Sequence, residues 1–170
     1  PKGMSKCFFA GGGAEAVEGA VKLAKKYAVN QGKSGTHVIS LECSFHGRTA
    51  LALTLTGQSK YKVKQGNFAN VPGVVHAPAP YCYRCPLEYP KCNIWCASFL
   101  EDLIDLRTTK EVGAVLIESV LGEGGIIVPP KEYLPKVRKI CTNQGIPLIL
   151  DEIQSGSGRT GRMFAFEHYG

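Results

Sequence analysis

Acidic residues that directly follow short apolar runs are the residues of this sequence best placed for chemistry. Residues 146–150 form such a run, which ends in Asp151 and Glu152 and is followed by Gln154 and several glycines. A short apolar run behind a glycine predicts a buried parallel strand. Ligands of open α/β sheets bind beyond the carboxyl ends of such strands, so Asp151 is expected in a binding site. The alternative is that Asp151 only caps the following turn.

A second acid, Glu118, ends the apolar run of residues 112–117 and is followed by Gly122, Glu123 and two further glycines. This pattern repeats the one around Asp151. It predicts a second buried strand that delivers an acid to the same edge of a sheet. A capped turn is again the alternative interpretation.

Three consecutive glycines at residues 11–13 separate a predicted short strand, residues 7–10, from a helix predicted over residues 14–29. The helix prediction rests on alanines and valines that recur at helical spacing. A strand, glycines and a helix N-terminus form an arrangement that binds phosphate through backbone N–H groups. A tight turn is the alternative, and Glu15 argues against a phosphate unless its side chain points away.

An aromatic ring, an imidazole and a guanidinium follow another predicted strand, residues 37–41, as the consecutive residues Phe45, His46, Gly47 and Arg48. Composition alone favours an ordinary polar turn here. The functional alternative is a carboxylate site, because a planar guanidinium donates two parallel hydrogen bonds to a carboxylate.

P-loop ATPases also end a buried strand in an acid pair. They require a Gly-x4-Gly-Lys-Ser/Thr loop between a strand and a helix. The chain offers Gly32, Lys33 and Ser34, but Tyr27 stands where the first glycine is required. We therefore interpret Lys33 as a solvated loop lysine.

Taken together and in the order in which they occur along the chain, these segments resemble the class III (ω-amino acid) aminotransferases, which use pyridoxal 5'-phosphate. The likeness is carried by Asp-Glu-Ile-Gln-Ser-Gly-Ser-Gly-Arg-Thr-Gly at residues 151–161, by Phe-His-Gly-Arg-Thr at residues 45–49 and by the ending at residues 164–170. Two positions depart from the family pattern. Gly12 replaces the serine of the phosphate-binding loop, and Ser119 replaces a proline.

The resemblance implies roles for these residues. Asp151 would pair with the protonated ring nitrogen of the cofactor, Phe45 would stack on the ring, and Gln154 would bond to the ring hydroxyl oxygen. Arg48 would bind a substrate carboxylate, and Glu123 would pair with an arginine from the C-terminal part. The implied site comprises catalytic Asp151 and Glu118, cofactor-binding Gly12, Gly13, Ala14, Phe45, His46, Asp151 and Gln154, and substrate-binding Arg48 and Glu123.

The implied reaction is transamination of an ω-amino acid such as 4-aminobutyrate, with a 2-oxo acid such as 2-oxoglutarate as the acceptor. An amino-acid racemase or epimerase on the same scaffold is an alternative. The implied fold is a three-layer α/β/α arrangement with a mostly parallel sheet, which the alternation of strands and helices also favours.

Residues 1–170 are expected to be part of the large domain of a fold-type-I pyridoxal-phosphate enzyme. The resemblance places the lysine that binds the cofactor about thirty residues beyond Asp151, outside the chain, together with a C-terminal small domain. We therefore expect this chain alone to be inactive. The resemblance also implies that the full-length protein is a homodimer.

Four of the seven cysteines cluster, with C-x2-C and C-x3-C pairs six residues apart: Cys82, Cys85, Cys92 and Cys96. The first pair suits a metal knuckle, and thiols four residues apart share a helix face, so a structural zinc site is one prediction. Reduced thiols at a subunit interface and a disulfide are alternatives. A non-catalytic binding domain stapled by this metal is the alternative function of a different class.

Composition argues against several other classes. Basic residues are scattered despite a net charge of +6, with no basic-aromatic stripe, so no nucleic-acid partner is expected. No apolar run approaches the ~20 residues of a membrane span, and the first residues lack a signal-peptide core, so a cytoplasmic location is expected. Further helices are predicted around residues 99–106 and from Pro129, with a short helix and loop in residues 58–70.

Overall fold

The computed structural model describes residues 3–62 and 70–170. Within these ranges lie the strands β1 (His37–Leu41), β2 (Val74–Ala77), β3 (Val112–Glu118) and β4 (Leu148–Asp151). The α-helices are α1 (Gly13–Asn30), α2 (Ala50–Leu55), α3 (Trp95–Arg107) and α4 (Tyr133–Asn143). Short 3-10 turns are formed by Ser59–Tyr61, Cys82–Arg84 and Ala165–His168. None of the helices in these two ranges is long and apolar enough to cross a membrane.

The strands form one parallel sheet in the order β2-β1-β3-β4. Strand β3 is buried along its whole length, as its unbroken apolar run predicts, because both faces of a central parallel strand are covered. Strand β4 pairs with β3 in the register that places Asp151 opposite Glu118. The two predicted acids therefore lie side by side at the carboxyl edge of the sheet.

The side chains of β3 alternate between two apolar layers. Ala114 and Leu116 pack with the buried face of α1 on one side of the sheet. Val115 and Ile117 pack with buried residues of α3 and α4 on the other side. This arrangement confirms the predicted three-layer α/β/α fold with a parallel sheet.

Helix α1 forms where the apolar periodicity predicts it. Its buried residues Val17, Val21, Ala24 and Ala28 share one face. This spacing of three or four residues keeps the stripe turned toward the sheet for the length of the helix. The helix starts at Gly13, the last glycine of the triplet, so its N-terminus lies at a fixed place relative to the sheet.

The predicted entry strand at residues 7–10 is wrong. These residues form no strand, and Phe8 and Phe9 are 78% and 90% exposed. An apolar run indicates a strand only when a sheet edge and a covering layer are available to bury it. Neither covers this segment within the described part of the chain.

The starts of two helices also differ from the predictions. Helix α3 begins at Trp95, earlier than the apolar periodicity indicates. Helix α4 begins at Tyr133 rather than at Pro129, because the prolines before it form only a turn, in which the N–H of Tyr133 donates to the carbonyl of Pro130. The predicted short helix in residues 58–70 is one 3-10 turn at Ser59–Tyr61, and residues 63–69 lie outside the described residues.

Truncating the centre of the core should test this arrangement. Ile117→Ala is expected to lower the free energy of unfolding by about 2–5 kcal/mol, because the fully buried side chain would leave a cavity. Leu106→Ala is the control, since Leu106 on α3 is 78% exposed. Urea-induced unfolding measures both, and similar losses in the two variants would contradict the assigned layers.

Candidate active site

One pocket at the carboxyl edge of the sheet is lined by residues from four separate segments. These segments are the start of α1, the turn after β1, the end of β3 and the end of β4. The lining residues are Gly13, Ala14, Phe45, His46, Gly47, Glu118, Asp151, Ile153 and Gln154. Most of the residues singled out from the sequence therefore meet here, while Gly12, Arg48 and Glu123 lie outside this lining.

The Asp151 side chain is fixed by two hydrogen bonds. Its Oδ2 atom lies 2.8 Å from Nδ1 of His46, and its Oδ1 atom accepts a hydrogen bond of 3.0 Å from the backbone N–H of Ile153. Asp151 is 8% exposed and His46 is 2% exposed. Because each carboxylate oxygen offers a second lone pair, the oriented Asp151 retains acceptor capacity toward the pocket.

The two ring nitrogens of His46 differ in their hydrogen bonding. Its Nε2 atom is buried and has no hydrogen-bond partner among the described residues. The backbone N–H of His46 donates to Oγ1 of Thr56 over 2.9 Å, which fixes the residue from the other side. A buried polar atom without a partner is uncommon in folded proteins. His46 therefore supplies an unused polar group in the wall of the pocket.

Glu118 ties two loops together. Its Oε1 atom accepts a hydrogen bond of 2.8 Å from the N–H of Phe45, and its Oε2 atom accepts one of 3.0 Å from the N–H of Gly122. Burial raises the pKa of Glu118, although these two backbone donors oppose that increase. The side chain therefore anchors the ring-bearing turn after β1 to the glycine-rich loop after β3.

The N-terminus of α1 has no side-chain cap. Gly12 precedes it in an extended conformation, and the first backbone N–H groups of a helix lack intrahelical partners. The carboxylate of Glu15 accepts a hydrogen bond of 2.7 Å from the N–H of Gly11. The acid that argued against a phosphate is therefore turned toward the preceding loop. Gly13 and Ala14 remain in the pocket wall, where helix N-termini attract anions.

Gly47 lets the turn after β1 touch the start of α1. Its φ of +125° disfavours any other residue, and an added Cβ would lie 2.7 Å from Cβ of Ala14 and 3.0 Å from Cβ of Ala52. The N-terminus of α1 and the turn that carries Phe45 and His46 are consequently packed in direct contact. Gly122 plays a similar part on the other side of the pocket, because a side chain there would collide with the amide of Gln154.

Outside this pocket, Arg48 lies against two aromatic rings. Its Cζ atom is 5.6 Å from the ring centroid of Phe45 and 5.2 Å from that of Tyr61. The Tyr61 hydroxyl donates to Oε2 of Glu123 over 2.9 Å. Sequence reasoning missed Tyr61, although it is the single aromatic side chain between Phe45 and Phe68. Both predicted substrate residues are thus neighbours of one tyrosine.

Glu152, the second acid of the pair, serves a different purpose from Asp151. Its carboxylate accepts hydrogen bonds from the hydroxyls of Ser119 and Ser155 and from the backbone N–H groups of Ala165 and Phe166, at 2.6–3.0 Å. It therefore fastens the segment after β4 to the end of β3. Ser119, which stands where the family pattern has a proline, is one of the donors.

The prediction of a structural zinc site is not supported. The four clustered cysteines line a separate cavity of ≈350 Å³, and all of them are free thiols. Among the described residues, no group of three or more His, Cys, Asp or Glu side chains could hold a metal ion. Burial also raises the pKa of Cys96 to about 11, which favours the protonated thiol.

Comparison with known proteins finds aminotransferases among those that this chain resembles. An acetylornithine aminotransferase of Methanocaldococcus jannaschii is 42% identical over 169 residues, covering 99% of this chain and 37% of the relative. A probable 4-aminobutyrate aminotransferase of Bacillus subtilis is 40% identical over 168 residues, covering 96% of this chain and 37% of the relative. The structure of a pyridoxal-phosphate-bound amine transaminase from an uncultivated Pseudomonas species matches with a TM-score of 0.86 and 34% identity, covering 95% of this chain and 37% of that one.

Residues 1–170 also match the aminotransferase class-III family as a whole. The chain therefore belongs to this family of pyridoxal-phosphate-dependent transferases, and the resemblance stated from the sequence is confirmed. The chain spans somewhat more than a third of the length of the relatives named above.

Replacing Glu118 should weaken the joint between the two loops. Glu118→Gln is expected to cost about 1–3 kcal/mol of unfolding free energy, because its amide nitrogen would face one of two backbone N–H donors. Since the folded-state pKa of Glu118 is raised, the wild type loses stability as the pH rises from the unfolded-state value of 4.5 through the folded-state value. The glutamine variant lacks this loss, so the gap between the two proteins should narrow with rising pH.

Urea-induced unfolding at several pH values from about 4 to 7 measures this gap. Glu101→Gln on the exposed face of α3 is the matched control and should show no such trend. A gap that stays constant or widens with pH would contradict the raised pKa of Glu118.

Proposed function

We propose that the full-length protein transfers an amino group from an ω-amino acid of the 4-aminobutyrate type to a 2-oxo acid such as 2-oxoglutarate. The observation that carries this proposal is the buried pair of Asp151 and His46, which lines the same pocket as the uncapped N-terminus of α1. An acid and a set of backbone donors match the basic ring nitrogen and the phosphate of pyridoxal phosphate.

The residues present fit this cofactor. Gly13 and Ala14 offer backbone N–H groups that can bind the phosphate. Phosphate binding therefore does not require the serine hydroxyl that the family pattern has at the position of Gly12. Phe45 supplies an aromatic ring in the pocket wall, and Gln154 supplies an amide for the ring hydroxyl oxygen. The bound cofactor provides an electron sink for the pair of electrons left on a substrate carbon when a proton is removed.

The proposed task of Asp151 is to keep a proton on the ring nitrogen. A nearby carboxylate raises the pKa of a basic nitrogen, because it favours the charged form. The hydrogen bonds from His46 and from the N–H of Ile153 orient the carboxylate before any ligand binds. Such preorganisation avoids the cost of reorienting the charge during the reaction.

For Glu118 we propose a positioning role in place of the catalytic role expected from the sequence. Both of its oxygens are already used by backbone N–H groups, one of which belongs to Phe45. A carboxylate engaged in this way is better suited to hold the stacking ring than to exchange protons with a substrate. The raised pKa that burial gives Glu118 is consistent with this buried position.

The proposed carboxylate-binding group is Arg48. Its Cζ atom lies over the rings of Phe45 and Tyr61, and among the described residues no acceptor takes its N–H groups. Contacts with aromatic rings do not use these N–H groups, which are the paired donors that suit a carboxylate. Phe45, whose ring Arg48 contacts, also lines the pocket, so Arg48 is adjacent to a residue of the proposed reaction site.

Other parts of the proposal concern the whole protein. No lysine occurs among the residues that line the pocket in the described part of the chain, so we propose that the lysine binding the cofactor lies outside residues 1–170. Residues 1–170 would then be part of the large domain. We further propose a cytoplasmic homodimer, for which the exposed aromatic residues Phe8 and Phe9 provide apolar surface.

The direct test is an assay of the full-length protein with 4-aminobutyrate and 2-oxoglutarate, with glutamate formation as the readout. Acetylornithine and D- and L-amino acids are run in parallel. Interconversion of amino-acid enantiomers without any 2-oxo acid would favour the racemase alternative and overturn the proposal.

Asp151→Asn should remove the charge partner of the ring nitrogen while leaving the fold intact. We expect the barrier of the chemical step to rise by about 3 kcal/mol or more, on the order of a hundredfold in kcat. Circular dichroism checks the fold, and Asp102→Asn on the exposed face of α3 is the control. Turnover close to that of the wild type would show that Asp151 does not have this role.

Arg48→Lys should affect only substrates that carry a distal carboxylate. We expect KM for 4-aminobutyrate to rise on the order of tenfold, because lysine cannot form the bidentate pair, whereas KM for n-butylamine should hardly change. Arg107→Lys at the exposed end of α3 is the matched control. A similar increase for both amines would contradict carboxylate recognition by Arg48.

A further inference from the structure

The cavity beside the clustered cysteines has no part in the proposed function. Its wall contains Cys82, Cys85, Cys92 and Cys96, together with aromatic and proline side chains of the same loop. A fifth thiol, that of Cys43 just after β1, also lines it. All five side chains are free thiols of intermediate exposure, so a small molecule in the cavity can reach them. Such a wall indicates a site for a compound that reacts with thiols.

Cys82 and Cys85 lie at the two ends of one hydrogen-bonded turn. The backbone N–H of Cys85 donates to the carbonyl of Cys82 over 3.3 Å, which closes the 3-10 turn Cys82–Arg84. A turn of this kind brings the Cα atoms of its first and last residues within about 7 Å, and side chains three residues apart on a 3-10 turn point the same way. A disulfide spans about 4.4–6.8 Å between Cα atoms. The turn therefore holds these two thiols in a geometry that a disulfide can join.

Cys92 and Cys96 are not paired in this way. Helix α3 begins at Trp95, so Cys92 lies outside it and does not share a helix face with Cys96. The turn that starts at Cys92 is closed by the N–H of Trp95, one residue short of Cys96. Asn93 and Ile94, which separate Cys92 from the helix, have left-handed φ values of 47° and 53°. Of the two pairs, Cys82 and Cys85 therefore have the backbone that favours a bond between their sulfur atoms.

The surroundings of Cys82 favour an uncharged sulfur. Burial, followed by the neighbouring thiols of Cys92 and Cys85, raises the pKa of Cys82. Both causes oppose a thiolate, because a charge is disfavoured in an apolar wall and beside a second negative group. A disulfide is uncharged, so once formed it is compatible with this wall.

We propose that Cys82 and Cys85 form a thiol–disulfide exchange site, which is reversibly oxidised by low-molecular-weight disulfides such as oxidised glutathione. One protein thiolate attacks a sulfur of the external disulfide, whose S–S bond breaks and releases one glutathione thiol. The other cysteine then attacks the mixed disulfide and releases the second glutathione. Two protein thiols are thereby oxidised to one disulfide, and the external disulfide is reduced to two thiols that take up the two protons.

The test maps the cysteines of the full-length protein after reaction with oxidised glutathione. The remaining thiols are alkylated with iodoacetamide, and the protein is digested with trypsin under non-reducing conditions. Because Arg84 separates the two cysteines, trypsin releases Cys82 and Cys85 in different peptides. Mass spectrometry should find these two peptides linked by a disulfide, with loss of their alkylated forms. The link should disappear when the sample is reduced with dithiothreitol before alkylation.

Two single variants check the assignment. Cys85→Ser should abolish the link and leave Cys82 carrying one glutathione, because the second cysteine is missing. Cys7→Ser is the matched control and should leave the link unchanged, since Cys7 is an exposed thiol that does not line the cavity. The wild-type map decides the proposal even if a variant does not fold.

Three results in the wild type would overturn the proposal. The first is that Cys82 and Cys85 are recovered only in alkylated form. The second is that they carry glutathione without becoming linked to each other. The third is a disulfide from either of them to another cysteine, such as one in the tryptic peptide of residues 92–107. None of these results depends on transaminase activity, so the proposed function is tested separately.

Discussion

The site depends on the register between two parallel strands. Strand β3 is buried on both faces, so a shift by one residue would move every side chain into the wrong layer. That constraint fixes Glu118 opposite Asp151, two buried carboxylates at one sheet edge. They can share this edge because their partners differ, His46 for one and backbone N–H groups for the other. Packing in the core thus determines the electrostatics at the edge.

Much of this could be predicted from the sequence, because the controlling patterns are local. The apolar runs before Glu118 and Asp151 and the helical spacing of α1 lie within single segments, and the structure has these elements. Contacts between segments could not be predicted in this way. Tyr61 and Glu123 are 62 residues apart and meet through one hydroxyl, which no periodicity encodes.

The wrong prediction of a strand and the unsupported prediction of a zinc site both depended on contacts between distant segments. Residues 7–10 have the composition of a strand, but nothing in the described chain buries them. The cysteine spacing from Cys82 to Cys96 suits a metal knuckle, yet spacing does not determine the direction in which thiols point. The role of Glu152, which anchors the last segment through the N–H groups of Ala165 and Phe166, was not predicted for the same reason. In each case, tertiary partners decided what a local pattern only suggested.

The contact between Gly47 and Ala14 separates two duties that lie on adjacent residues. His46, before the glycine, is locked by side-chain and backbone hydrogen bonds, whereas Arg48, after it, is supported mainly by ring faces. Substitutions at Arg48 would therefore leave the hydrogen bonds of His46 in place. Under the proposed function, such a division is evolvable, since the preference for a ligand can drift at the exposed arginine while the buried, hydrogen-bonded residues stay unchanged.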